Sequence, residues 1–172
     1  MTSNSSGKPK VPAGDVRALA VDLGTKRVGL AVSDSLGIAA TPIDVLEGLT
    51  PEQVAVKVAA IAKDRGVGVL VVGMPFNMDG SDHKTAPQIR QKAELCAKRS
   101  GLPVEYVDER LTTVEAARRL WESGLTNKNR KSRVDQVAAA LILQSWLESR
   151  RAAKRRAEIA AADAAADAAG PG

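Results

Sequence analysis

Cysteine, histidine and aromatic residues are nearly missing from this chain of 172 residues, which holds only Cys96, His83, Phe76, Tyr106, Trp121 and Trp146. A lone cysteine excludes an internal disulfide, and a lone histidine excludes zinc constellations of the usual Cys/His kind. Any metal must then be held by oxygen. So few rings argue against a module that binds single strands by stacking successive bases. No uninterrupted apolar run approaches the roughly 18 residues that span a bilayer, so no membrane segment is expected. The opening MTSNSSGKPKVPAGD is polar and lacks the apolar middle of a secretory signal, so residues 1–15 read as a disordered leader on a cytoplasmic protein.

What is present points to one domain. The length suits a single core, expected over residues 16–150, with residues 151–172 forming an Ala-rich tail of low complexity. Lys and Arg number 25 against 20 Asp and Glu, a net charge of +5 that favours polyanionic partners. With stacking modules set aside, backbone and shape contacts should dominate any nucleic-acid binding.

Ala18–Leu23 and Val28–Ser33 are apolar segments separated by Gly24-Thr25-Lys26-Arg27, a hairpin signal, and a short third strand is expected over Ile38–Thr41. Thr50-Pro51-Glu52-Gln53 has capping-box spacing with Pro at the first helical position. Val54, Val58, Ile61 and Ala62 follow at helical spacing until Gly66. Val67–Val72 is continuous and β-branched, the pattern of a central parallel strand covered on both faces. After the turn-rich stretch 75–81, a second helix runs to Ser100, where Gly101 stops it, and Pro103–Glu109 supplies a fifth strand. Thr112-Thr113-Val114-Glu115 opens a further helix ending at Gly124. A basic, mobile loop over 126–133 then feeds a last helix, capped by Ser132, from Arg133 to about Arg150. Beyond Arg150 a frayed helix or disorder is expected. Right-handed crossovers turn this order into an α/β fold, a five-stranded mixed sheet of order 3-2-1-4-5 with helices on both faces.

Within the first strand, Asp22 interrupts an apolar run. The period of two puts Ala18, Ala20 and Asp22 on one face and Leu19, Val21 and Leu23 on the other. Burying an unpartnered carboxylate costs several kcal/mol, so Asp22 either caps the following turn or faces a cation. Glu109 ends the fifth strand and Asp135 lies in the first turn of the last helix, so three chain-distant acids could converge at one sheet edge. Each has a plainer role open to it: Glu109 could pair with Arg110, and Asp135 could serve only the helix dipole. Asp108 competes with Glu109 for the inward position, because adjacent strand residues point to opposite faces.

The segments VDLGTKRVGLAVSD, VVGMPFNMDGS, VDERLTT and SRVDQVAAALIL, in order between about Leu19 and Leu147, resemble the YqgF (RuvX) family of the RNase H-like superfamily, relatives of the RuvC Holliday-junction resolvases. The resemblance implies an RNase H-like fold and a metal-dependent nuclease whose acids are Asp22, Glu109 (the DER pattern selecting it over Asp108) and Asp135. RuvC-type enzymes usually carry a second acid one helical turn beyond the last, where Ala138 stands here. Oxygen ligands of this kind suit Mg²⁺ or Mn²⁺. The expected arrangement has Asp22 bridging two ions, Glu109 and Asp135 completing their shells, and a phosphodiester as substrate.

Lys26, Arg27, Arg110, Lys131 and Arg133 flank these acids and are candidates for phosphate contacts. The resemblance implies either resolution of Holliday junctions or trimming of the 5′ end of precursor small-subunit rRNA. The first needs two symmetric cuts and hence a homodimer; the second works with one site. Two rival readings stand beside these. DLGT is similar to the phosphate loop of actin-like and sugar-kinase ATPases, although no second Asp-Gly loop or adenosine segment follows. A catalytically silent nucleic-acid-binding module would share the same fold.

Overall fold

The computed structural model describes residues 9–12, 14–111 and 128–168; the side chains of residues 111 and 128–136 lie outside that description. The elements are β1 (Ala18–Leu23), β2 (Arg27–Ser33), β3 (Ala40–Glu47), α1 (Pro51–Asp64), β4 (Val69–Met74), α2 (Ala86–Ser100), β5 (Val104–Asp108), a 3₁₀ turn (Glu109–Leu111) and α3 (Lys128–Ala168). The strands form one sheet of order β3-β2-β1-β4-β5. β1, β2 and β3 pair antiparallel, while β4 runs parallel to both β1 and β5. This is the expected sheet.

The two faces of β1 bury into two different cores. Leu19, Val21 and Leu23 pack with Val54, Val58 and Ala62 of α1 and with Ala93 and Cys96 of α2. Ala18 and Ala20 pack, with Ala31 of β2, against Ala138, Ala139, Ile142, Leu143 and Trp146 of α3. Small residues on that sheet face meet small residues on the helix, so helix and sheet approach closely. Ala138 is 3% exposed, so the position where RuvC-type chains carry an acid serves here as packing.

Helix α1 begins as its capping box dictates: the Thr50 hydroxyl accepts from the Gln53 amide at 3.3 Å, and Gln53 Oε1 accepts from the Thr50 amide at 2.9 Å. Helix α2 ends at Gly101, whose φ of 71° is the left-handed conformation that glycine adopts without strain.

Three boundaries differ from expectation. β3 spans Ala40–Glu47 rather than Ile38–Thr41. Pro42 does not end it, because β3 is an edge strand beside a register shift at Leu30/Ala31, where a missing N–H is tolerated. α3 starts at Lys128, so Ser132 lies inside it and the basic stretch from Lys128 is helical backbone rather than a loop. Lys and Arg lose little rotamer freedom in a helix, and no Gly or Pro intervenes. The same helix passes Arg150 and continues to Ala168, since Ala is the strongest helix former. The helix expected from Thr112 to Gly124, with Trp121, lies outside the described residues. No described helix is long and apolar enough to cross a membrane.

Candidate active site

The parallel strands β1 and β4 end side by side, and a cleft of about 480 Å³ opens at their carboxyl ends, the edge where open α/β sheets place ligands. Asp22 and Glu109 both line it, together with Gly73, Pro75, His83 and Lys92. Asp22 is 6% exposed and Glu109 7%, so two carboxylates distant in sequence are nearly buried in one cavity.

Each acid reaches the cleft for a local reason. Asp22 lies on the small-residue face of β1, opposite Gly29 of β2, where no side chain crowds it. Its backbone carbonyl accepts the Gly24 amide at 3.0 Å, which starts the turn to β2. That turn is tight: a β-carbon at Gly24 would stand 2.5 Å from the Arg27 carbonyl oxygen.

Glu109 follows β5 in the 3₁₀ turn, and its direction is set by its two neighbours. The Asp108 carboxylate accepts from the Arg110 amide at 2.9 Å and from the guanidinium at 2.6 Å (Nη2) and 3.1 Å (Nε). The guanidinium also donates to the Asn77 carbonyl at 3.0 Å and lies over the Phe76 ring, 5.3 Å from its centroid. Asp108 and Arg110 are thus fastened to each other and to the loop after β4. Glu109, between them, enters the cleft. Its Oε1 occupies the space that a β-carbon on Gly73 would need, at 2.5 Å from that position. The guanidinium of Arg110, hydrogen-bonded to Asp108, holds that carboxyl below the usual carboxylate range.

Asp135 belongs to α3, four residues ahead of the buried Ala139, but its side chain lies outside the described residues, as do those of Lys131 and Arg133. Among the described residues no three His, Cys, Asp or Glu side chains gather into one metal-binding group. Of the other basic candidates, Lys26 is exposed at the β1–β2 turn beside the cleft residue Thr25. Arg27 is half-buried, with Nε 3.4 Å from Glu47 Oε2 across the β2–β3 pair. Arg110 makes the clamp just described.

Sequence reasoning gave Lys92 no role and left His83 as a loop histidine, yet both line the cleft. Lys92 Nζ donates to the Gly24 carbonyl at 3.0 Å, tying α2 to the β1–β2 turn. The helical spacing of α2 carried no signal for this, since the turn it reaches lies far back in the chain. The 77–81 loop is bonded to itself: Asp79 accepts from the Ser81 amide and hydroxyl at 2.9 and 2.6 Å, and Asn77 donates to Ser81 Oγ at 3.0 Å.

Among solved structures, RuvC of T. thermophilus, determined in complex with a Holliday junction substrate, superposes with a TM-score of 0.52 at 16% identity, covering 79% of this chain and 96% of that one. The fold is RNase H-like. The chain belongs to the RuvX family, described as Holliday junction resolvase, whose model matches residues 16–149. A relative from Picosynechococcus is 44% identical over 140 residues, covering 81% of this chain and 97% of its own length. One from Anaeromyxobacter is 44% identical over 137 residues, covering 80% and 100%. Both are provisionally named pre-16S rRNA nucleases. Family and fold together make this a nuclease rather than an ATPase of the actin-like kind.

Proposed function

We propose that the cleft hydrolyses phosphodiesters of a structured nucleic acid with the help of a divalent cation. The carrying observation is that Asp22 and Glu109 are nearly buried in one cavity at the carboxyl edge of the sheet. Two carboxylates that line one cavity at this edge offer hard oxygens that a divalent cation can share with a bound phosphate.

The donor set fits such an ion. Both side chains offer hard oxygens, the missing side chain of Gly73 admits Glu109 Oε1 to the cleft, and the scarcity of Cys and His leaves Mg²⁺ or Mn²⁺ as the fitting class. Asp22 and Glu109 would hold the ion, with Asp135 as the third ligand; it lies two turns into α3, which starts at Lys128 and not beside Asp135 as expected, and its place on the helix that covers this sheet face supports the assignment. A divalent cation there supplies charge neutralisation at the phosphodiester oxygens. The chain's own part is to exclude bulk water, to fix Glu109 through the Asp108–Arg110 clamp, and to bring basic side chains to the flanking phosphates. Lys26, at the exposed turn, is the best placed of the described candidates for the last task.

The substrate we favour is precursor 16S rRNA, supported by the names of relatives 44% identical to this chain over nearly their whole length. A four-way DNA junction is the second reading, supported by the family description, and it requires a homodimer. The test is cleavage of both under Mg²⁺ and Mn²⁺ by the wild type, Asp22→Asn, Glu109→Gln and Asp135→Asn, with solution mass measured alongside. The expected result is divalent-dependent cleavage that each substitution abolishes. Full activity of Asp22→Asn excludes the reading.

A further inference from the structure

The cleft that holds Asp22 and Glu109 is also lined by His83 and Lys92, for which the proposed acid site has no use. We propose that His83 and Lys92 form a phosphate-binding subsite there, each donating a hydrogen bond to a phosphodiester of the strand lying across Asp22 and Glu109; this rests on the nuclease reading above and extends it to two further residues of the cleft.

The direction of the His83 donor follows from its partners. Its Nδ1 lies 2.9 Å from the Thr85 hydroxyl and 3.4 Å from the Thr85 amide. A backbone amide can only donate, so Nδ1 is an acceptor and the neutral ring carries its proton on Nε2. With Nδ1 turned to Thr85, the nitrogen left for the cleft is an N–H. The backbone is pinned on both sides, since the His83 amide donates to the Pro75 carbonyl at 3.4 Å and its carbonyl accepts from the Ala86 amide at 2.8 Å. The ring is a fixed donor.

Lys92 complements it with charge. Its ammonium has three N–H groups, one of which is used on the Gly24 carbonyl, leaving two for a ligand in the cavity it lines. The bond to Gly24 holds it beside the turn that follows Asp22. A phosphodiester brought to two carboxylates meets repulsion, which is stronger in a cavity of low dielectric. A cation fixed in the same cleft offsets it without competing for the metal's ligands.

Because His83 is the only histidine of the chain, its ring can be watched directly. In ¹⁵N NMR of the full chain, Nδ1 should appear as the acceptor and Nε2 as the protonated nitrogen. Saturating the Asp22→Asn chain with a four-way DNA junction, or with the 5′ precursor segment of 16S rRNA, should move the Nε2 signals. In binding titrations of the same probes, His83→Leu should weaken affinity severalfold at unchanged salt slope, and His83→Gln, which keeps a donor at similar reach, should restore most of it. Lys92→Gln should lower the log–log salt slope by about 0.9 on the junction, one phosphate's worth, whereas Lys92→Arg should keep it. The subsite is refuted by an Nδ1-protonated ring, by signals that stay fixed at saturation, by failure to bind either probe, or by folded His83→Leu and Lys92→Gln chains that bind as the wild type does. Retained cleavage by Asp22→Asn would instead refute the nuclease site itself, a separate outcome.

Discussion

Glu109 Oε1 and the missing side chain of Gly73 share one volume: a β-carbon on residue 73 would lie 2.5 Å from that oxygen and 2.6 Å from Ile142 Cδ1. Both obstructing atoms are ends of flexible side chains, so Gly73→Ala should fold, at an overpacking cost of about 1–3 kcal/mol. The carboxylate must move, and a displacement near 1 Å at a catalytic group costs on the order of 10²-fold in rate. Cleavage assays beside thermal melts check this; an unimpaired rate in a folded Gly73→Ala chain would show that Glu109 needs no such fixed place.

The Asp108–Arg110 clamp predicts a pH dependence of known sign. The guanidinium lowers the folded-state pKa of Asp108 below its unfolded value. Its contribution is therefore fully present above the ordinary carboxylate range, and it is lost as the pH falls through the depressed folded value. Asp108→Asn should destabilise the protein by about 1–2 kcal/mol at pH 7, the scale of charged hydrogen bonds, and the gap to the wild type should close in acid. Urea melts across that range measure it. Since the clamp also aims Glu109, the same variant should cleave more slowly than the wild type at pH 7 in a side-by-side assay.

Burial pushes the Cys96 thiol up to about 11, so almost none of it is thiolate at neutral pH. A thiol reagent at pH 8 should label the native chain very slowly and the urea-unfolded chain at once. Rapid native labelling would place Cys96 outside the α1–α2 core.

Residues 157–168 of α3 are exposed throughout, beyond the last core contacts at Trp146 and Leu147. Ending the chain at Arg156 should leave the stability within about 0.5 kcal/mol while reducing helical circular dichroism. Arg150 must be kept: it donates to the Pro12 and Gly14 carbonyls at 2.6 and 2.9 Å and lies over Trp146, 5.1 Å from the ring centroid. Denaturant titrations of the shortened chain check the prediction, and a large loss of stability would show that the exposed turns pack on something.

Much of the fold could be read from local chemistry. The capping box at Thr50, the stop at Gly101 and the alternation along Ala18–Leu23 each describe interactions between residues close in the chain, and each is found as expected. β3 runs on past the expected end at Thr41, and Pro42 is tolerated within it because its strand lies at a sheet edge. Edge position belongs to the assembled sheet.

By itself the sequence determined the class of donor, since a chain with one Cys and one His leaves oxygen as the ligand for a metal, and its resemblance to a family implied Asp22, Glu109 and Asp135 as the acids. Propensity treats the adjacent acids Asp108 and Glu109 alike and only the resemblance favoured Glu109; the tertiary structure lines the cleft with Glu109 while Arg110, reaching Asn77, holds Asp108. Only the tertiary structure decided the place of His83 and Lys92. Lys92 reaches the cleft through its bond to the Gly24 carbonyl and His83 through the bond of its amide to the Pro75 carbonyl, contacts between distant segments that no local pattern of residues encodes.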